Sequence, residues 1–246
     1  MTRLNVIRAI LFLMAFVPIS LFGQNIRIAD LSMNRIGDSG RSFPAIAATV
    51  SRFDVVAADE VRDLGGMEKV LAGMDDNWEA DLSRGGFFGF FYNNRVQLIK
   101  ELGTYPETVQ FARPPYGAQF RFSGTRFAFN VVVCHIEAEG DQKTRMAEIA
   151  HLAAVHRYFE RLTGNRGITI LLAGGLGDDP EQAVRLLMAV TRGEVLAVKT
   201  NLTGTKGSHD GDEGMFASAA LRPRIEEAGI GDSMPHPAYV ILRIGS

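Results

Sequence analysis

Four residues of this chain carry chemistry at positions where a strand end would present them. Asp59 and Glu60 close the apolar run "FDVVAADE", His135 closes "FNVVVCH", and Arg113 stands before two prolines in "FARPPYG". Carboxylates hold a hard cation or accept a proton, imidazole transfers a proton near neutrality, and a guanidinium holds an oxyanion in a planar fork. Each has a plainer role open to it. Glu60 reads as a metal ligand or as a polar group on a rim. His135 reads as a phosphate contact or as a hydrogen-bonded polar residue. Arg113 reads as an anion contact or as the partner of an acid.

A fifth stretch, "ILLAGGLGDDP" at 170–180, ends an apolar run in three glycines within four positions. It can cradle a phosphate, make a turn, or fill places where other residue types would do chemistry. It lacks the Lys and Ser/Thr of a P-loop and the spacing of a dinucleotide fingerprint. The acidic loop "HDGDEG" at 209–214 lacks the spacing of a calcium loop and reads as solvated. His151 and His156 fall inside a helical pattern and read as structural. Cys134 is the only cysteine, so no internal disulfide forms, and its apolar setting makes it a buried thiol. "NLT" at Asn201 fits a glycosylation sequon, a pattern common by chance.

The elements that must position these groups alternate in type. Strand patterns run through "NIRIADLS", "FDVVAADE", "GITILLA", "GEVLAVKT", "MFASA" and "AYVILRI". "FFGFFYNNRVQLIKEL" reads as a hairpin turning at Asn93-Asn94, because Asn tolerates the positive φ of tight turns. "AQFRFSGTRFAFNVVVCH" reads as another, turning at Ser123-Gly124. "SFPAIAATVSRF" reads as a helix with Ser42 at its N-cap, and "GGMEKVLAGM" as a short one. The clearest helix is "KTRMAEIAHLAAVHRYFERLTG", whose Ile149, Leu152, Val155, Phe159 and Leu162 share a face. Asp179-Pro180 opens a further helix. Hairpins mixed with αβ crossovers imply mixed sheets covered by helices.

The 246 residues, 46% hydrophobic, suffice for one domain with a large core. Arg3 and Arg8 precede "AILFLMAFVPISLFG", so residues 1–23 read as a secretory signal cleaved near Gly23, with an uncleaved anchor as the alternative. The domain then spans 24–246, secreted or periplasmic, with no membrane span once the signal is removed. Formal charge is -2, and no segment is dense in Lys and Arg. Charge therefore gives no support to a sequence-blind hold on nucleic acid.

Taken in order, "IRIADLSMNRIG", "FDVVAADEVRD", "GFFYNNRVQLI", "FARPPYGAQFRF", "FNVVVCHIEA", "ITILLAGGLGDDP" and "SMPHPAYVILRI" resemble the motifs of the endonuclease/exonuclease/phosphatase superfamily, which includes deoxyribonuclease I. The resemblance covers about residues 26 to 244. It implies an α/β four-layer sandwich of two packed mixed β-sheets flanked by helices. It also implies a divalent-metal-dependent phosphoesterase site at one edge, using Mg²⁺ or Mn²⁺, with nucleic acid among the family's ligands.

Matched position by position, much of that site is replaced. The first-motif Asn falls on Ser32 and the second-motif Gln on Asp59, while the metal-binding Glu is kept as Glu60. An acid before the aromatic hairpin falls on Gly85 or Gly86. The Asp and Asn of Gly-Asp-Phe-Asn fall on Gly175 and Gly177, and the terminal Asp-His on Met234 and Pro235. Sliding that last match rescues His236 but puts Pro235 in the Asp position. Arg113 and His135 remain. The reading is a catalytically silent or severely weakened pseudo-hydrolase with an unknown ligand or protein partner and no cofactor. The alternative is an active divalent-metal-dependent phosphodiesterase with a rebuilt site, in which Asp59, Glu60, His135 and Asp178 or Asp179 converge on one metal.

Overall fold

The computed structural model describes residues 24–33, 42–61, 64–106, 111–136, 141–164, 169–176, 180–200, 214–230 and 237–244. Two six-stranded mixed sheets pack face to face. Strands β1 (Gln24–Ser32), β2 (Val55–Asp59), β3 (Trp78–Leu82), β4 (Gly89–Asn93), β11 (Ile225–Ile230) and β12 (Ala238–Ile244) form the first, in the order β11-β12-β1-β2-β4-β3. Strands β5 (Val96–Thr104), β6 (Tyr116–Phe122), β7 (Ala128–His135), β8 (Thr169–Gly174), β9 (Val195–Thr200) and β10 (Gly214–Ser218) form the second, in the order β5-β6-β7-β8-β10-β9.

Side chains alternate across each strand. Ile26, Ile28, Val55, Ala57, Val131, Val133, Ile170 and Leu172 therefore meet in the core between the sheets. The outer faces are covered by helices. The first sheet carries α1 (Phe43–Val50) and α2 (Leu64–Leu71), and the second α3 (Gln142–Thr163) and α4 (Pro180–Thr191). This is the four-layer sandwich expected from the sequence. No helix among the described residues is long and apolar enough to cross a membrane.

The long helix is cut where its sequence says. Asp141 accepts from the Thr144 amide at 2.8 Å, and Gly164 ends it at φ 63. Ile149, Leu152, Val155 and Phe159 are buried, but Leu162 is 40% exposed. Ser42 stands at the N-cap of α1 without a side-chain cap bond, with Pro44 in the first turn. The β6–β7 hairpin turns through Gly124 at φ +75. Asp179 lies outside the described residues.

The hairpin expected at Asn93-Asn94 does not form. β4 pairs with β2 and β3, whereas β5 pairs with β6, so the chain crosses from one sheet to the other at this point. Neither asparagine has a positive φ. Asn93 instead accepts from the Arg95 amide at 3.1 Å and donates to Asp54 at 3.1 Å. These are the bonds of an Asx turn that redirects the chain. Arg95 then reaches Asp54 at 2.9 Å and the Asn25 carbonyl at 2.6 Å, pinning the crossing to β1. At the other end, the Tyr116 hydroxyl donates to Asp81 at 2.9 Å and ties β6 to β3 across the sandwich.

Candidate functional site

The site follows from two parallel pairs. β1 runs beside β2 with Ser32 opposite Asp59, and β7 beside β8 with His135 opposite Gly174. All four strands end at the same end of the sandwich. Continuing the inward positions gives Asp30 and Ser32 on β1, Asp59 on β2, His135 on β7 and Gly174 on β8. The apolar core thus changes to polar groups within one strand step.

Asp59 and His135 form a dyad across the two sheets. His135 Nδ1 lies 2.9 Å from Asp59 Oδ2. A carboxylate accepts only, so Nδ1 carries the proton and Nε2 marks the ring face opposite Asp59. That face looks toward Glu60, whose Oε1 is 4.0 Å away. Ser32 Oγ donates to the other Glu60 oxygen at 3.0 Å. Glu60 has φ 51, one of two non-glycine residues with positive φ among those described. The left-handed backbone swings its carboxylate off the line of β2, and the bond from the Val61 amide to the Phe87 carbonyl, 3.0 Å, secures the turn.

Arg113 reaches the same place through an aromatic ring. Its guanidinium carbon lies 3.9 Å from the Phe87 centroid, and the Phe87 edge packs against His135 at 5.4 Å. Phe87 holds cation and imidazole side by side. The structure therefore brings together Ser32, Asp59, Glu60, Arg113 and His135. Gly177, Met234, Pro235, His236, Asp178 and the loop 209–213 lie outside the described residues. His151 bonds the Tyr105 hydroxyl at 3.1 Å, and His156 the Ser218 hydroxyl at 2.9 Å, both away from the site. Cys134 is fully buried, which pushes its thiol well above the ordinary range.

Two features were missed in the sequence. Asp30 is 2% exposed, and its carboxyl is held well above the usual carboxylate range by burial first and the charge of Asp59 second. The neutral form is favoured there, leaving Asp59 as the acceptor for His135. The signal was its spacing of two from Ser32 on a strand. The second concerns the glycines. Gly174 is on the site face, where a Cβ would lie 3.0 Å from Asp59 Oδ2 and 3.5 Å from His135 Nδ1. Gly175 is not. It has φ +74, and a Cβ there would stand 2.1 Å from the Ile136 carbonyl oxygen. A carboxylate at 175 would have to break this backbone conformation.

A divalent ion of the kind the fold implies needs several oxygen donors around one point. One oxygen of Asp59 is engaged by His135 and one of Glu60 by Ser32, although the Oδ1 atoms of Asp30 and Asp59 are buried without a partner. Among the described residues, no three His, Cys, Asp or Glu side chains are grouped to hold an ion. The described residues by themselves do not supply that donor set.

No family model matches the chain. A deoxyribonuclease of Thioalkalivibrio sp. (strain K90mix) is 27% identical to it over 56% of this chain, which spans 41% of that relative's length. Among solved structures, an endonuclease/exonuclease/phosphatase protein of Bacteroides vulgatus overlays 90% of the chain, and all of its own, at TM-score 0.66 and 14% identity. A Bacteroides thetaiotaomicron protein described in the same way gives 0.64 over 91% of this chain and 99% of its own, at 13% identity. This chain has the deoxyribonuclease I-like fold. A mannosyl-6-phosphatase of Bacteroides thetaiotaomicron overlays it at 0.62, over 87% of this chain and 98% of its own, with 14% identity. In this frame the Asp59–His135 dyad lies at the ends of β2 and β7.

Proposed function

We propose that the chain is an exported pseudo-hydrolase that holds a phosphate-ester anion between Arg113 and His135 and hydrolyses it slowly or not at all. The observation that carries this reading is how closely β8 approaches the dyad. Gly174 leaves no more than the width of the Asp59 carboxylate, and Gly175 turns its α-carbon toward a carbonyl. The Asp59–His135 pair stands against β8 where a side chain at Gly174 would project. Losing one member of a cooperating catalytic set costs orders of magnitude in rate. Anion binding asks less: the Arg113 guanidinium supplies it, and His135 adds an Nε2–H donor when its ring carries both protons. Export rests on Arg3 and Arg8 before the apolar residues 9–23.

The test pairs binding with turnover. Inorganic phosphate is titrated into the chain and into Arg113→Ala by calorimetry, and cleavage of plasmid DNA and nitrophenyl phosphate esters is followed with Mg²⁺, Mn²⁺ or chelator. Phosphate binding lost in Arg113→Ala, without turnover above buffer, supports the proposal. Robust metal-dependent cleavage that disappears in Glu60→Ala overturns it.

A second reading, a working metal-dependent phosphoesterase with a rebuilt site, draws on the convergence of Asp59 and Glu60 on His135 and on the two unpartnered carboxylate oxygens. Mn²⁺ calorimetry on the chain and on Glu60→Ala separates the two. Binding that depends on Glu60 favours the rebuilt site.

A further inference from the structure

The turn from β3 to β4 brings an aromatic ring to the dyad and fixes it from several sides. Its backbone is set by short bonds. The Ser83 amide donates to the Phe88 carbonyl at 2.8 Å, the Gly86 amide to the Ser83 carbonyl at 2.8 Å, and the Phe88 amide to Ser83 Oγ at 3.2 Å. Gly86 supplies the φ of 71 that this tight turn requires. The next residue, Phe87, packs against the core between the sheets and meets the Phe88 ring edge-on at 4.9 Å. Its carbonyl accepts from the amide of Val61, the residue after Glu60.

A ring held in this way is a platform. The Arg113 guanidinium carbon lies 3.9 Å from its centroid, and the His135 ring stands at 5.4 Å with the two planes 70° apart. A guanidinium over a ring face is attracted by the ring quadrupole and keeps its N–H edges for two oxygens of one anion. An arginine that moves freely in water loses rotamer entropy when it closes on a ligand, and one already placed loses less. The Phe87 side chain has no hydrogen-bond donor of its own. We infer that Phe87 is the positioning residue of this site, acting on a bound phosphate-ester anion through the orientation it gives Arg113. The inference rests on the reading of Arg113 and His135 as the anion site. The bond to Val61 belongs to the backbone, so a change of side chain removes the platform and leaves the Glu60 turn its anchor. A ring that served packing alone would be replaceable by leucine or methionine with no effect on a ligand.

The experiment compares the chain with Phe87→Leu, Phe87→Met and Phe87→Tyr, each checked for its fold by Tm. Inorganic phosphate is titrated by calorimetry. The Arg113 Nε–H resonance, assigned by its absence from Arg113→Ala, is followed by NMR. In the parent and in Phe87→Tyr that resonance is expected upfield, under the ring current of residue 87, and phosphate binds equally to both. In the leucine and methionine variants the resonance moves to the position of a solvated arginine, and phosphate affinity falls roughly tenfold. Phosphate bound as tightly by those two variants as by the parent overturns the inference. So does a loss of the same size in Phe87→Tyr, or an Arg113 resonance that is the same in all four proteins. Failure of the anion reading looks different: the parent itself then binds no phosphate, and the inference falls with it.

Discussion

At the scale of single residues, the site holds one strained carboxylate, Glu60, and two buried ones, Asp30 and Asp59. Glu60 occupies a left-handed conformation that glycine accepts without a Cβ penalty. Glu60→Gly is therefore expected to be about 1 kcal/mol more stable than Glu60→Ala in urea titrations, although both remove the same carboxylate. Equal stabilities would mean that the backbone relaxes in the variants. Asp30 gives a signature in pH. Its folded-state pKa is raised above the ordinary 3.8, so its contribution is complete below that value and is lost as pH rises through the folded value. Asp30→Asn should then gain Tm over the parent progressively as pH rises from 4 toward neutrality. A constant difference across that range would sink the argument. None of these carboxyls could be assigned its partner from the sequence. Asp59 matched a family amide, and nothing local says that it bonds a histidine 76 positions away.

At the scale of elements, β8 ends in two glycines with different duties. Gly174 continues the inward face, whereas Gly175 turns the chain beside the Ile136 carbonyl. Restoring a family-like carboxylate by Gly175→Asp should destabilise the fold by roughly 3 kcal/mol or more, through the contact and the positive φ together, with no gain in turnover. A variant with parental Tm would show that β8 re-forms around the new side chain. The sequence match assigns the family's carboxylate to Gly175, whereas Gly174 is the residue that continues the inward face from Ile170 and Leu172. The same logic explains the other differences. β3 and β11, "WEADL" and "IEEAGI", carry no apolar run, because each is an edge strand and both are partly exposed. The Asn93-Asn94 segment has the letters of a hairpin, but the choice of strand partner is tertiary. The apolar strands, the body of α3 and the order of the motifs were legible, since each is written in local periodicity.

At the scale of the whole molecule, acid should loosen the sandwich from its far end. His156, on α3, is 2% exposed, and its Nε2 meets Ser218 Oγ on β10, which donates to Glu160 at 2.7 Å. Burial lowers its pKa below 6.5, against the pull of Glu160 and Glu194, with Arg157 adding to the lowering. The unfolded chain then binds the proton more readily, so stability is lost as pH falls through about 6.5. His156→Gln is expected to flatten the Tm profile between pH 7 and 5. A profile as steep as the parent's would assign the acid sensitivity elsewhere. Asp30 and His156 slope in opposite directions, one at each end of the sandwich.

The pairing of β1 with β12 has a consequence for how the molecule is made. Seven residues of the first strand, from Gln24 to Asp30, are matched to residues 238–244, the last described stretch of the chain. Synthesis delivers β1 more than 200 residues before β12, so one long edge of β1 has no partner until residues 238–244 exist. The second sheet draws its strands from the middle of the chain and can close earlier. Completion of the first sheet thus follows that of the second in biogenesis, and the nascent chain carries an open β edge until residues 238–244 emerge.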